Sequence, residues 1–476
     1  MITSELLTKQ VDINRIIPEC IDLAKASEAS LPFQYMHMPL AWWDSFHNGT
    51  DSLFGKKRGQ NFLGAQSRLE EFFLLIARDG DSLCGAIPLV RHTLKTPKSQ
   101  GGLCIITFAG DYILLPFQDF VVEPSRRQEV ISSFLERIAQ LLKAGCSFFW
   151  AGHLPEESPN LAVLRASCAA LQGHHIASLE AISYQRGGVW PWTIGGISAT
   201  LKEMCEICTK FGVTFNGLEE LAIKTAACTP QSLLFPGTRN NLLQELNTLI
   251  AGIDRHESLA DFAKRFKSFL KNSPILYPYI ELPLDREEYL GSLSYSTRRY
   301  FRRYLGKFLE AGGSFEIVRP DEITAEDIED YIRLHLLRWG NGSHAICGES
   351  ADYHRTISAA MAQQGMFLLF FARYQGKRIA VHSCFDIGSR REGYLTGRDP
   401  DYTKLRAGRL LYIQTIFDAI DKGFSRYELG VIGFGYKMSF VKKTTVAHNF
   451  FLYPADQELN FDQFFLGFEC MEPIRG

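Results

Sequence analysis

Phe367-Leu-Leu-Phe-Phe-Ala-Arg373, followed by Gly376 and then Ala380-Val-His-Ser383, is the stretch on which the fold turns, because the chain holds a second version of it. Phe72-Phe-Leu-Leu-Ile-Ala-Arg78 is likewise followed by a glycine, Gly80, and then by Gly85-Ala-Ile-Pro-Leu89. An apolar run of strand length that meets a glycine turn and a second strand predicts an antiparallel hairpin buried on at least one face. A repeat at this spacing has to be read before any local motif, since it sets the architecture.

Working outward, both hairpins lead to a helix and another strand. In the first half an amphipathic stretch over 129–143 ends at Gly145 and leads into Cys146-Ser-Phe-Phe-Trp-Ala-Gly152. In the second, 409–422 ends at Gly423 and leads into Phe424-Ser-Arg-Tyr-Glu-Leu-Gly430. Gly145 and Gly423 sit where a helix-terminating glycine belongs, with Lys143 and Lys422 in the last turn. Two copies of one α/β unit follow, an N-terminal one over 1–178 and a C-terminal one over 274–476. Between them the segment 179–273 changes character, with Gly187-Gly188, Pro191 and Gly195-Gly196 as turns and helices expected over 242–253 and 259–270. It reads as a helical insertion.

The second unit can be followed element by element. A long helix is expected over 285–311, then a strand over 314–318. Thr324 should cap a helix through Trp339, with Glu326 and Asp327 in its first turn. A helix over 350–363 precedes strands over 366–374, 378–387 and 392–396. A helix after Gly408, a strand over 426–429 and a last strand over 446–453 complete the unit. The expected class is therefore α/β (α+β), with two mixed-sheet units in tandem.

Composition bounds the function. The chain has 476 residues, enough for two or three cores. Its 51 Lys and Arg against 53 Asp and Glu leave a formal charge of -2, so no global basic field points to DNA. The segment 1–18 lacks the apolar core of a signal peptide, and no apolar run approaches the roughly 20 residues of a membrane helix. Eleven cysteines without regular spacing fit a reducing compartment, and a cytoplasmic protein without an integral membrane segment is expected. Cys205 and Cys208 form a C-x-x-C, but no second pair completes a zinc site, so no metal is expected.

With these elements in place, the sequence resembles the CelD/BcsL-like acetyltransferases, a GNAT subfamily associated with exopolysaccharide biosynthesis and similar in architecture to the tandem-GNAT Fem peptidyltransferases. The matching residues are Leu293-Ser294 with Arg298, Arg299, Arg302 and Arg303; Leu334-His335 with Arg338-Trp339; Gly376-Lys-Arg-Ile-Ala380; Asp399-Pro400; Gly408; and Gly435-Tyr436-Lys437. In the first half Gly85-Ala-Ile-Pro88-Leu89, Asp119 and Leu154-Pro155-Glu156 look like further landmarks. The resemblance covers 285–443 well and is patchier before Pro159. It implies an acetyltransferase that uses acetyl-CoA or another acyl-CoA, with a saccharide or other small-molecule acceptor.

The residues must also carry that chemistry themselves. A pyrophosphate suits a helix N-terminus, where unpaired N–H groups and the macrodipole favour an anion. Lys404, Leu405, Arg406, Ala407, Gly408 and Arg409 supply such a start, with a glycine for close approach and three cations. The usual loop signature, Arg or Gln, two residues, Gly, one residue, Gly or Ala, is only partly met: Arg406 replaces its first glycine and Thr403 its leading residue.

Direct acyl transfer needs a base for the acceptor and an acid for the thiolate. Along the strand 379–387, alternation puts Ala380, His382, Cys384 and Asp386 on one face, so His382 is a candidate base. A hydrogen-bonded structural histidine would give the same pattern. Glu428 lies near a strand end and is a second candidate, its alternative being an ion pair with Arg426 or Lys437. Its counterpart in the repeat is Trp150, which suggests that the first copy has lost chemistry. Tyr436 is a candidate acid and Lys437 a candidate charge stabiliser. Arg302 and its neighbours can gather on one helix face for phosphate, or simply be solvated. His335, Arg338 and Trp339 share a helix face and are candidates for the acceptor cleft, together with Asp119.

Two other readings keep the same fold. A Fem-type aminoacyl or peptidyl transferase would take aminoacyl-tRNA, which the neutral charge disfavours. A non-catalytic ligand-binding protein would have two degenerate copies. Fold-level analogy does not choose the acceptor.

Overall fold

The computed structural model describes residues 2–27, 29, 31–47, 66–95, 103–110, 117–169, 171, 174–180, 276–340, 346, 350–430, 439–441 and 443–454. The first half opens with β1 (Ile2–Leu7), α1 (Gln10–Ala26) and α2 (His37–Phe46). It continues with β2 (Gln66–Asp79), β3 (Ser82–Lys95), β4 (Leu103–Phe108), β5 (Val121–Val122) and α3 (Arg127–Lys143), and ends with β6 (Phe148–Pro155), α4 (Pro159–Ala169) and β7 (His174–Glu180). The second half opens with β8 (Leu276–Glu281), α5 (Arg286–Ser292) and α6 (Tyr295–Glu310). Then come β9 (Gly313–Val318), α7 (Ala325–Trp339), α8 (Ser350–Gln363), β10 (Phe367–Tyr374), β11 (Lys377–Ile387) and β12 (Arg390–Arg398). It closes with α9 (Ala407–Asp421), β13 (Arg426–Glu428) and β14 (Lys443–Pro454).

The repeat seen in the sequence extends through both halves. β1 and β9 pair antiparallel with the first strands of their hairpins, β2–β3 and β10–β11. β4 and β12 then pair antiparallel with β3 and β11, and each is joined by a parallel neighbour, β6 or β13. A parallel neighbour needs a crossover, which α3 and α9 supply. Both crossover helices stop where expected: Gly145 and Gly423 take φ values of +124° and +73°, a region L side chains avoid.

The strands run in the order β1-β2-β3-β4-β6-β14-β8-β13-β12-β11-β10-β9, two mixed sheets joined where β14 meets β8. Helix α3 covers the outer face of the first sheet over a core that includes Phe134, Phe149 and Leu75. Helix α9 does the same for the second, over Leu410, Ile413 and Phe370. The inner faces share a third core in which α1 and α2 of the first half meet α7 and α8 of the second. Phe46 and Tyr353 mark that contact, with ring centroids 5.5 Å apart. Each such aromatic buries on the order of 150–250 Å², so this shared core fixes how the copies face each other.

Three expectations change. The single helix over 285–311 is two, because Leu293 is extended and Ser294 starts a new helix by accepting from the Thr297 N–H at 3.2 Å. Arg298 closes the first of them, donating to the carbonyls of Gly291 and Leu293 at 2.7 Å, so it is a capping residue. Helix α9 begins at Ala407, one residue before Gly408. The last strand does not simply complete the second unit: β14 pairs with β8 over 443–446 and with β6 and β7 beyond. Its fit is set by Phe450, Phe451 and Leu452, which pack into the first copy's outer core.

Thr324 caps α7 as expected, in a capping box with Asp327. The helices expected over 242–253 and 259–270, and Cys205 and Cys208, lie outside the described residues. Among the described residues no helix is long and apolar enough to cross a membrane.

Candidate functional site

Residues alternate across β12 and β13. Arg391 turns to the outer face, where it is fully buried under α9, and Tyr427 does the same, its hydroxyl 2.8 Å from that of Thr415. Arg390, Glu392, Arg426 and Glu428 therefore face inward, toward the first copy. The parallel register ties Arg390 to Arg426 and Glu392 to Glu428. Among the described residues that is the last pair: β13 ends at Glu428, while β12 runs on to Arg398.

Glu428 and Glu392 are each 6% exposed. Glu428 is ion-paired to the Arg426 guanidinium, with Arg390 further off at 4.0 Å. Burial pushes its carboxyl up to about 7, against the pull of Arg426. Burial also raises Glu392, to about 8, and the neighbouring Glu428 charge adds to the rise. Among the described residues no cation lies within 4 Å of the Glu392 carboxyl. Arg426 is held flat over the Tyr279 ring at 3.7 Å and bonds to Glu157 of the first copy at 2.8 Å.

Glu157 and Arg390 border a small cavity of about 90 Å³ on the inner face. Its wall includes Gln34, Asp119, Ser158 and Asn160. Asp119 accepts from Ser158 Oγ at 2.6 Å, Asn160 Nδ2 at 2.9 Å and the Phe120 N–H at 2.8 Å. Burial nonetheless raises its carboxyl to about 6. The two copies thus meet across a polar, ionisable centre.

His382 is elsewhere. Its ring stacks on Tyr412 at 4.3 Å beneath α9, and Nδ1 lies 3.4 Å from Thr415 Oγ1. The face shared by Ala380, His382, Cys384 and Asp386 is as expected, but it is the outer one. Its polarity is buried wiring: Asp386 accepts two bonds from Arg391 at 2.6 and 2.8 Å and one from Lys422 at 3.0 Å. The His382 ring lies on the outer face and the Glu428 side chain on the inner one, although His382 Nε2 and the Glu428 backbone carbonyl both come within 3.3 Å of the position a Cβ would take at Gly393.

His335, Arg338 and Trp339 gather on Thr396, in the stretch of β12 beyond its last pair with β13. The Thr396 carbonyl lies 3.0 Å from His335 Nδ1 and 3.3 Å from Trp339 Nε1, and its hydroxyl accepts from Arg338 at 2.7 Å. Burial lowers His335 to about 3, so it stays neutral and serves as a hydrogen-bonding ring rather than a base. Arg302 stands on the solvent face of α6, 3.7 Å from an equally exposed Glu287.

At the start of α9, Arg406 has φ +57° and ψ +19° and offers no side-chain cap. The loop signature puts a glycine at this position, and Arg406 keeps the left-handed backbone without one. The first N–H groups of α9 thus remain available to an anion. Gly408 faces open space, the nearest atom to an added Cβ being Arg398 Cδ at 4.0 Å. Lys404 and Arg406 are exposed, but Arg409 bonds Ser439 at 2.9 Å and lies over Tyr300. Tyr436 and Lys437 lie outside the described residues.

The first copy has none of this charge. Its equivalent strand pairs are Ile105 with Phe148 and Thr107 with Trp150. Sequence reading missed Glu392, Arg390 and Glu157. A signal was present in Arg390-Arg391-Glu392, three consecutive charged residues entering a strand.

Residues 295–438 match the acetyltransferase (GNAT) domain family. No curated protein matches the chain. Among solved structures, the chain is similar to FemX, at 11% identity over 88% of this chain and 95% of that one, with a TM-score of 0.42. It is also similar to the tandem GNAT protein of the clavulanic acid biosynthesis pathway, at 11% identity over 96% and 99%, TM-score 0.37. A third is the C-terminal domain of a putative lysylphosphatidylglycerol synthetase from Agrobacterium fabrum, at 10% identity over 92% and 91%, TM-score 0.41. The chain carries a GNAT acetyltransferase domain and is an acyltransferase.

Proposed function

We propose that this protein moves an acyl group from acyl-CoA directly to a sugar or cell-surface polysaccharide precursor held between the two copies. The observation that carries the reading is the placement of Glu428 on the inner face, paired in register with Glu392. A thioester whose phosphates rest on the start of α9 can extend along β12 toward the carboxyl pair. Arg398, beside Gly408, stands six positions along β12 from Glu392, which is about 20 Å of strand.

Glu428 is the base. A carboxyl titrating near 7 is ionised often enough to take a proton at neutral pH, yet basic enough to hold it. His382, packed beneath α9, is not. The small inner cavity walled by Asp119, Ser158, Asn160 and Gln34 is polar, which suits a single hydroxyl group of a saccharide rather than an apolar acceptor. His335, Arg338 and Trp339 fix β12 at Thr396, between the carboxyl pair and the start of α9.

Thiol release from acetyl-CoA, followed against nucleotide sugars, oligosaccharides and aminoacyl-tRNA, tests this. Turnover with a saccharide supports the reading. Turnover with aminoacyl-tRNA instead would replace it with a Fem-type transferase, and folded protein that binds no acyl-CoA would remove the enzymatic role from this site.

A further inference from the structure

We propose that Glu392 is the proton donor of the transfer, held neutral beside the Glu428 carboxylate and delivering its proton to the departing thiolate. The proposal rests on the reading of Glu428 as the base and adds the acid that reading lacks.

The two carboxyl groups are register partners on adjacent parallel strands, on one face, each 6% exposed. Their surroundings differ. Arg426 is ion-paired to Glu428, and Arg390 lies 4.0 Å from the same oxygen. Among the described residues Glu392 has neither an ion pair nor a hydrogen bond. Two like charges this close and this dry do not both ionise, and the group with the cations keeps the charge. The charged groups around the pair are Arg390 on the same strand, Arg426 on β13 and Glu157 at the end of β6, while β8 contributes the Tyr279 ring. Asp119 lies further along the cavity, bonded to Ser158 and Asn160. Three carboxyl groups and two guanidiniums leave one negative charge in excess, which a proton on Glu392 removes. Burial supports the same assignment, raising Glu392 further than Glu428.

The step balances. The acceptor oxygen attacks the thioester carbonyl and gives its proton to Glu428; the carbon–sulfur bond breaks, and Glu392 gives its proton to the sulfur. The products are the acyl ester and free CoA thiol. The proton on Glu428 then returns to Glu392, and the pair ends as it began.

Leaving-group dependence tests this with the full-length protein. Glu392→Gln should slow thiol release from acetyl-CoA by about 10²–10³-fold, yet leave turnover of an acetyl ester of a strongly acidic aromatic thiol within a few-fold of wild type, since that thiolate needs no proton. Glu428→Gln should slow both. Equal slowing of the two thioesters by Glu392→Gln, or slowing of neither, overturns the proposal. Infrared spectroscopy across pH 6 to 9 decides it without turnover: the carbonyl band of the buried carboxylic acid that titrates last, near pH 8, should be lost in Glu392→Gln and kept in Glu428→Gln. A band that survives Glu392→Gln overturns the proposal even if the acceptor is misassigned. A band lost as expected in protein that accepts no saccharide faults the functional reading instead.

Discussion

Glu392 of β12 lies opposite Glu428 of β13, the last register pair of these strands among the described residues. Both side chains turn to the inner face, against Glu157 and Arg390, whereas Arg391, one residue away, is sealed under α9. One strand therefore carries a structural ion network on one side and an ionisable site on the other.

The carboxyl pair makes stability depend on pH in a predictable sense. The folded Glu392 titrates near 8, above the ordinary range near 4.5. A group whose folded value is raised stabilises fully below the unfolded value and loses that contribution as pH rises through the folded one. Stability should fall between about pH 4.5 and 8, and Glu392→Gln should flatten this fall, raising the melting temperature at pH 8 and changing it little at pH 5. Melting curves across that range check it; an unchanged slope would mean that Glu392 does not hold its proton in the folded state.

His335 acts in the opposite sense. Its value is lowered to about 3, so its contribution is present above the ordinary 6.5 and is lost as pH falls toward 3. His335→Gln should reduce the acid sensitivity of the fold below pH 6.5. Hydrogen exchange of the α7 amides at pH 5 against pH 8 reads it locally.

Glu428→Gln keeps size and polarity while removing the charge. Turnover should drop on the order of 10²–10⁴-fold with acyl-CoA affinity unchanged. His382→Gln should instead alter melting temperature more than the pH profile of turnover, because its ring packs on Tyr412 beneath α9. Steady-state rates beside calorimetric CoA binding separate the two effects.

Gly408→Glu places a carboxylate at the start of α9 and should abolish acyl-CoA binding. At saturation near 100 times the dissociation constant, wild type should gain about 2.7 kcal/mol, and the variant none. The matching position at the start of α3 is Gln128, which is bonded to Ser167 at 2.8 Å, so Gln128→Glu should leave binding intact. Equal losses from both changes would place a working site in the first copy as well.

Asp386→Asn leaves the fully buried Arg391 with an incomplete set of partners, Asp418 remaining at 2.8 Å. Breaking one side of such a pair costs about 3–5 kcal/mol. Denaturant unfolding should show a loss of that order, with fluorescence of the native state unchanged.

The sequence by itself determined what is local. The hairpins around Gly80 and Gly376, the stop glycines Gly145 and Gly423, and the Thr324 cap all follow from turn and helix-end chemistry that a few neighbouring residues decide. Alternation along β11 placed His382 with Asp386, and comparison of the copies set Trp150 where the other has Glu428. What the sequence did not determine is which face of a strand meets which helix. Alternation gives two faces but not their identity, so the packing of His382 beneath α9 was not legible, and Glu392 went unremarked. The helix break at Ser294 escaped because a serine inside a polar helix and a serine at its start look alike until Arg298 closes the preceding turn. The joining of the copies by β14, and with it the meeting of Glu157 with Arg426 and Arg390, depends on pairings between residues hundreds of positions apart. Only the packing of the shared core, which fixes the two sheets against one another, decides that these charges meet.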